Sequence, residues 1–286
     1  MTTFSYDEAF SRNIGWITQQ EQQKLRNCRI AIAGMGGVGG AHLLTLSRLG
    51  IGKFNISDLD EFEVANFNRQ AGANMSTLGR QKVEVLEEMA KNLNPEQEVK
   101  VFPNGVTEDN VEEFLDDVDL YVDGLDYFAV SARRATFAKC HEKGIPAVTA
   151  APLGIGAAVL NFLPGGMSFE EYFRLEGKSE MEQLLNFLIG LSPAMLQRTY
   201  LADPATVDLA NHKGPSTPMA VEICAGMAAS QAMKILLKRG PVISAPWGQQ
   251  FDGYRDKYKK TWRPGGNNNP IQKLTLLIAK KQLGIS

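Results

Sequence analysis

Cysteine and histidine are scarce in this chain, at three residues each among 286. Cys28, Cys140 and Cys224 are widely spaced, no Cys-x-x-Cys pair occurs, and His42, His141 and His212 are equally scattered. A structural zinc site gathers several such ligands in one place, so no zinc is expected. Long apolar runs are also missing: none approaches bilayer-spanning length, and Met1-Thr-Thr-Phe-Ser-Tyr-Asp-Glu8 lacks the basic-then-apolar pattern of a secretory signal. A reducing cytoplasm and no membrane partner are the expectation. Excess charge is missing too. Thirty Lys and Arg against 32 Asp and Glu give a net charge of −2, which argues against a dedicated nucleic-acid surface and leaves room for a local basic patch.

What is present is a globular composition, 44% hydrophobic and 22% charged, in a chain long enough for an ample core. Residues 5–27 read as a polar helical arm with a capping box from Thr18 to Glu21. Short apolar runs then alternate with helical spacing. Strands are expected at Arg29–Ala33, Lys53–Ser57, Glu98–Phe102, 118–122, 146–150 and 157–163. Helices are expected at 38–49, Lys82–Leu93, 111–115 and 131–142. The alternation predicts an α/β fold, a Rossmann-like mostly parallel sheet with helices on both faces. Beyond it, 169–190 reads as mostly helical, 192–218 as a proline-rich crossing loop and 219–238 as a long apolar helix. Two short strands follow around 249–251 and Tyr254, then a terminal helix over 271–283. The chain thus divides into an arm (1–27), a nucleotide-binding core (28–165) and a C-terminal mixed region (166–286) of the same globular unit.

Gly34, Gly36 and Gly39 have the G-x-G-x-x-G spacing directly after a strand and at the opening of a helix. Such a loop lets phosphates approach backbone N–H groups at a helix N-terminus. Asp58 ends the next strand, where a carboxylate can accept from ribose hydroxyls. To this point a dinucleotide and ATP are served equally. Arg69 and Lys82 follow within the same βαβ unit. A hydride-transfer enzyme has little use for two cations there, whereas attack on an α-phosphate builds charge that needs them. Asp126, just past the run ending at Asp123, stands where it can hold Mg²⁺. Asp60 reads as a turn-capping residue beside Asp58.

The segments Gly34-Met-Gly-Gly-Val-Gly39, Asp58-Leu-Asp60, Asn66-Phe-Asn-Arg-Gln70, Gly79-Arg-Gln-Lys82 and Leu125-Asp126 resemble the ubiquitin-activating-enzyme-like adenylyltransferase family, of ThiF, MoeB and HesA type, in a zinc-free form. Small members adenylate the C-termini of sulfur carriers, and others adenylate ribosomal peptides. The resemblance implies ATP and Mg²⁺ as cofactors. It implies nucleotide contacts from Gly34, Gly36, Gly37, Gly39, Asp58, Asp60, Asn66, Arg69, Gln70 and Lys82, with the metal on Asp126. Arg12 resembles an N-terminal arginine that reaches across a homodimer into the partner's site, and would join Arg69, Lys82 and Asp126 in catalysis. The implied partner is a protein or peptide with a flexible C-terminal tail.

The pattern also departs from the family. Tyr127 follows Asp126 where many members have asparagine, and the crossing loop contains no cysteine to form a thioester. Cys224 and Cys140 read as core. His212, in the crossing loop, is a weak candidate. Lys257-Tyr-Lys-Lys-Thr-Trp-Arg263 interleaves cations with aromatics, a pattern compatible with RNA contacts and also with a lysine-protected strand edge. Rival readings are an adenylating enzyme acting on a modified tRNA base, an NAD(P)-dependent oxidoreductase and a non-catalytic nucleotide binder.

Overall fold

The computed structural model describes residues 3–208 and 213–283. The strands are β1 (Arg29–Ala33), β2 (Lys53–Ser57), β3 (Glu98–Phe102), β4 (Leu120–Asp123), β5 (Ala147–Pro152), β6 (Gly156–Phe162), β7 (Trp247–Asp252) and β8 (Lys257–Trp262). The helices are α1 (Tyr6–Ala9), α2 (Gln19–Asn27), α3 (Gly37–Leu49), α4 (Lys82–Leu93), α5 (Val111–Phe114), α6 (Val130–Lys143), α7 (Phe169–Phe173), α8 (Glu180–Leu191), α9 (Pro218–Leu237) and α10 (Pro270–Leu283).

All eight strands join one sheet in the order β3-β2-β1-β4-β5-β6-β7-β8. Pairing is parallel from β3 to β5 and antiparallel from β5 to β8. This is the expected α/β class, with its mostly parallel half built from the alternating runs. Alternate side chains of each strand face opposite layers. Ile30, Ile32, Phe54, Ile56, Val122 and Val148 pack with α2, α3, α4 and α9. Ala31, Ala33 and Tyr121 pack with an aromatic layer from α5 to α8 that includes Phe114, Phe137, Phe169 and Phe187. The chain leaves β1 for β2 and β3 on one side, and later takes up β4 and β5 on the other. That reversal opens a crevice at the carboxyl ends of β1 and β4, where ligands of such sheets bind.

Four expectations need correction. The arm is not one helix: α1, a 3₁₀ turn at Ser11–Asn13 and α2 are separate pieces. Gly15, at φ +111°, turns the chain between the last two, and Thr18 and Glu21 then form the capping box of α2. The segment 169–190 is likewise split, with Arg174 and Gly177 at positive φ between α7 and α8. Tyr254 falls in the turn between β7 and β8 rather than in a strand. Finally, α9 is by length and composition apolar enough to cross a membrane. Here Cys224, Ala228, Ala232 and Leu236 on that helix are buried against the sheet.

The arm docks on the far end of α3, away from the crevice. Tyr6 Oη donates to the Gly50 carbonyl at 2.5 Å, while Asn13 Nδ2 and Gln22 Nε2 donate to that of Leu49 at 3.1 and 3.0 Å. These bonds satisfy carbonyls that every helix leaves unpaired at its C-terminus.

His42, on α3, is wholly buried and neither ring nitrogen has a partner. Burial lowers its pKa to about 4, against the pull of the Asp123 charge. The unfolded chain takes up this proton near pH 6.5 and the folded chain near 4. Stability is therefore full above pH 6.5 and falls as pH drops toward 4, by about 3 kcal/mol at the limit. Urea unfolding of His42→Leu against wild type at pH 7 and pH 4.5 is expected to show the wild type losing more on acidification.

Candidate functional site

The glycine loop lies at the carboxyl end of β1, and packing requires three of the local glycines. A Cβ on Gly39 would stand 1.7 Å from the Gly34 carbonyl oxygen. One on Gly34 would stand 2.2 Å from the Gly124 oxygen, and one on Gly124 would stand 2.7 Å from the Gly39 Cα. The ends of β1 and β4 and the first turn of α3 therefore touch backbone to backbone. Gly36 and Gly37 differ. A Cβ at Gly36 would meet nothing nearer than Gln70 Nε2 at 3.7 Å, and one at Gly37 nothing nearer than Arg69 Cγ and Val221 Cγ2 at 3.6 Å. Packing within the chain does not account for these two glycines. Without a Cβ they leave the N-terminus of α3 open.

Asp58, at the end of β2, ties that strand to the loop. Its Oδ2 accepts from Met35 N at 2.5 Å and its Oδ1 from Asp60 N at 2.9 Å. Burial pushes its carboxyl above the usual value, against the pull of those N–H groups and of Lys82. Lys82 opens α4 and is only 6% exposed. Its Nζ lies 2.9 Å from Oδ2 of the exposed Asp60. A buried ammonium at a helix N-terminus opposes the helix dipole and needs an anion close by. Asp60 supplies one here.

The segment 66–70 covers the loop from the side. Asn66 Oδ1 accepts from Glu63 N at 3.0 Å, so this predicted ligand shapes the turn that carries its neighbours. Arg69 lies across Gly37, its guanidinium held by the Ala65 carbonyl at 3.0 Å and by Asn68 Oδ1 at 2.9 Å. Gln70 is buried beside Gly36, and its Oε1 has no partner. Asn68 Nδ2 donates to the Ser216 carbonyl at 3.1 Å, which ties this segment to the end of the crossing loop.

On the other side of β1 the loop after β4 carries Asp126. Its carboxylate is exposed, with Oδ1 accepting from Phe128 N at 3.0 Å. No group of three or more His, Cys, Asp or Glu that could hold a metal occurs among the described residues. A single carboxylate nonetheless suits Mg²⁺, which keeps most of its waters and takes its other ligands from phosphates.

Sequence reasoning missed the group that positions this loop. Arg133, on α6, is buried with Asp123, its Nε 2.8 Å from the Asp123 carboxylate. Its guanidinium also donates to the carbonyls of Leu125 at 2.8 Å, Asp126 at 3.0 Å and Tyr127 at 3.3 Å. The ring of Phe187 on α8 stacks over it at 4.5 Å. Asp123 accepts from Thr149 Oγ1 as well, at 2.8 Å. The available signal was helical phase: Arg133 shares a stripe with Phe137 and Cys140, where a charge must be paired.

The chain brings together the glycine loop, Asp58, Asp60, Arg69, Gln70 and Lys82, with Asp126 across β1. Arg12 is elsewhere, exposed on the arm beside the C-terminal end of α3. Thirteen helical residues put it ~20 Å from the loop. His212 lies outside the described residues. Cys28, Cys140 and Cys224 are buried and free, with burial pushing each thiol pKa up.

A glycine loop after β1, an acid after β2 and a crevice at the point of strand reversal define a nucleotide-binding α/β protein of Rossmann type. The profile described as the ThiF family matches residues 10–270, and the chain belongs to that family of adenylating-type enzymes. The chain is 32% identical over 141 residues to the tRNA threonylcarbamoyladenosine dehydratase of Bacillus subtilis, covering 49% of this chain and 55% of the relative. It is 35% identical over 111 residues to the adenylyltransferase and sulfurtransferase UBA4 of Candida albicans, covering 39% and 25%. The chain spans about half the length of the first of these relatives and less of the second. Among solved structures, PaaA matches with a TM-score of 0.68 at 19% identity, covering 91% of this chain and 76% of the other. Escherichia coli MccB with ATP matches at 0.60 and 19%, covering 84% and 65%. At these identities the structures speak for the fold alone.

The two kinds of glycine separate experimentally. Gly39→Ala is expected to cost about 3 kcal/mol or more in urea unfolding, because a carbonyl must be displaced. Gly37→Ala is expected to stay within about 1 kcal/mol of wild type yet to weaken ATP binding at least tenfold by calorimetry. A double-mutant cycle tests the clamp. Arg133→Met alone is expected to cost about 3–5 kcal/mol by stranding Asp123, and less once Asp123→Asn is added.

Proposed function

We propose that this protein adenylates a carboxylate, using ATP and releasing pyrophosphate. The observation that carries the reading is the open cradle at Gly36 and Gly37, flanked by Arg69 and by the buried Lys82. The unpartnered Gln70 Oε1 beside Gly36 supports a ligand at this point. Asp58 would take the ribose hydroxyls, and backbone N–H groups of the α3 N-terminus the phosphates. An acceptor carboxylate oxygen attacks the α-phosphorus, the bond from that phosphorus to the bridging oxygen breaks, and pyrophosphate leaves with the electron pair. The products are an acyl-adenylate and pyrophosphate. Lys82 exchanges Asp60 for phosphate oxygens, and Arg69 turns from the Ala65 carbonyl toward the same charge. Mg²⁺, held by Asp126, would neutralise charge developing on the phosphates. No protein nucleophile is required.

Arg12 belongs to this chemistry only through a second copy, since its own loop is ~20 Å away. A homodimer is therefore part of the reading, and the exposed Ile14 and Trp16 of the arm and Val64, Met75 and Leu78 near the site support it. The buried free thiols suit a cytoplasmic setting. The first acceptor class is the C-terminal tail of a peptide or ubiquitin-like protein, passing under the crossing loop that Asn68 holds at Ser216. The second is a carboxylate on a modified tRNA base. It is favoured by the name of the Bacillus subtilis relative and by the exposed basic and aromatic residues of β8.

ATP–pyrophosphate exchange with Mg²⁺, using host lysate fractions as the source of acceptor, tests the reading. Exchange is expected to depend on one fraction and to fall at least a hundredfold in Lys82→Ala and Asp126→Ala. Exchange absent from every fraction, with ATP binding intact by calorimetry, would falsify it.

A further inference from the structure

The charge of this chain is segregated. Residues 257–286 contain seven Lys or Arg and no Asp or Glu, whereas residues 1–256 contain 23 and 32. Three of those cations lie on β8, the last strand of the sheet, whose outer edge no strand among the described residues pairs. Lys257, Lys259 and Lys260 are exposed and form no ion pair among the described residues. The register places Trp247 beside Trp262, Gln249 beside Lys260 and Phe251 beside Tyr258, all on one face. The two indoles stack at 6.0 Å, and Trp247, Tyr258 and Trp262 remain 42%, 50% and 55% exposed. Tyr258 Oη donates to Gln249 Oε1 at 2.9 Å, which fixes its ring against the sheet. Lys234, on α9, adds a further cation close enough for Lys260 to depress its pKa, after the larger effect of burial.

We infer that this face of β7 and β8 binds an unpaired stretch of RNA, its bases on Trp247, Trp262 and Tyr258 and its phosphates on Lys260, which lies between Tyr258 and Trp262 on that face, and on the adjoining Lys234; Lys257 and Lys259 point to the opposite face. The inference deepens the second acceptor reading and rests on it. Fixed aromatic rings interleaved with cations on a flat sheet form the platform that single strands stack on. A lysine-protected edge explains the cations, since lysines keep edge strands from pairing. It does not explain three half-exposed rings on the same face. An acidic polypeptide would use the lysines and leave the rings uncovered.

Fluorescence anisotropy with a labelled 12-nucleotide single-stranded RNA, run without ATP, tests the surface separately from adenylation. Wild type is expected to bind at low salt, with log Kd rising by about 1.4 per decade of salt for two phosphate contacts. Trp262→Ala is expected to weaken binding about tenfold or more. Lys260→Glu, which removes no buried group, is expected to lower the salt slope by about half or more while keeping the wild-type Tm. No binding by wild type, or equal binding by both variants, would overturn the inference. So would displacement of the RNA by poly-glutamate at equal charge, which would assign the face to acidic polypeptides. A change of mass in sedimentation for Trp262→Ala would instead make it a contact between copies. Absent pyrophosphate exchange with RNA binding intact would overturn the acceptor reading alone, whereas exchange with no RNA binding would overturn the surface alone.

Discussion

Backbone contact between Gly34, Gly39 and Gly124 is the constraint on which the rest depends. It closes β1, β4 and α3 on one another at the point where the strand order reverses. The N-terminus of α3 is thereby aimed along the crevice, with Gly36 and Gly37 left open in front of it. Hydrogen bonds from Gly34 N to the Ser57 carbonyl at 2.6 Å and from Gly124 N to that of Ala33 at 2.9 Å fix the same junction to its neighbouring strands. Asp58 then reaches Met35, and Lys82 reaches Asp60, because both strand ends are held in register with the loop.

The second half of the chain acts on this junction from a distance. Arg133 holds the backbone on both sides of Asp126 while its guanidinium lies under Phe187. Tyr127 Oη donates to the Leu184 carbonyl of α8 at 2.5 Å. The helix that leads into the crossing loop is thus bound to the loop that carries Asp126. On the other side, Asn68 bonds the end of the crossing loop to the residue beside Arg69. The helix before the crossing loop and the end of that loop are thus tied to opposite sides of the glycine loop.

Much of this was legible in the residues themselves. Strands bounded by glycine or aspartate, such as Arg29–Ala33 and Lys53–Ser57, and the periodic helix Lys82–Leu93 carry strong local signals. They fall where the pattern puts them. The glycine spacing, Asp58 and Lys82 were legible because a strand–loop–helix unit fixes their relative positions through short connections. The type of Asn66 fits both a ligand and a turn, and its bond from Glu63 N is set by the fold of the segment rather than by sequence spacing. Arg133 was missed because its partners Asp123, Leu125 and Phe187 converge through folding rather than through sequence spacing. The break at Arg174 and Gly177 was hidden by apolar residues on both sides that match a helix.

The junction also sets an order of assembly. The hairpins β5–β6 and β7–β8 close over a few residues, so they cost little loop entropy. Gly34 must wait for Gly124, 90 positions later in the chain. Contacts over such separations form slowly, because closure must precede any reward from packing. On a ribosome that delivers the N-terminus first, the glycine loop emerges well before the strand that shapes it. A nascent chain therefore gains the packed glycine loop only after β4 has emerged, and until then it carries the motif without its shape.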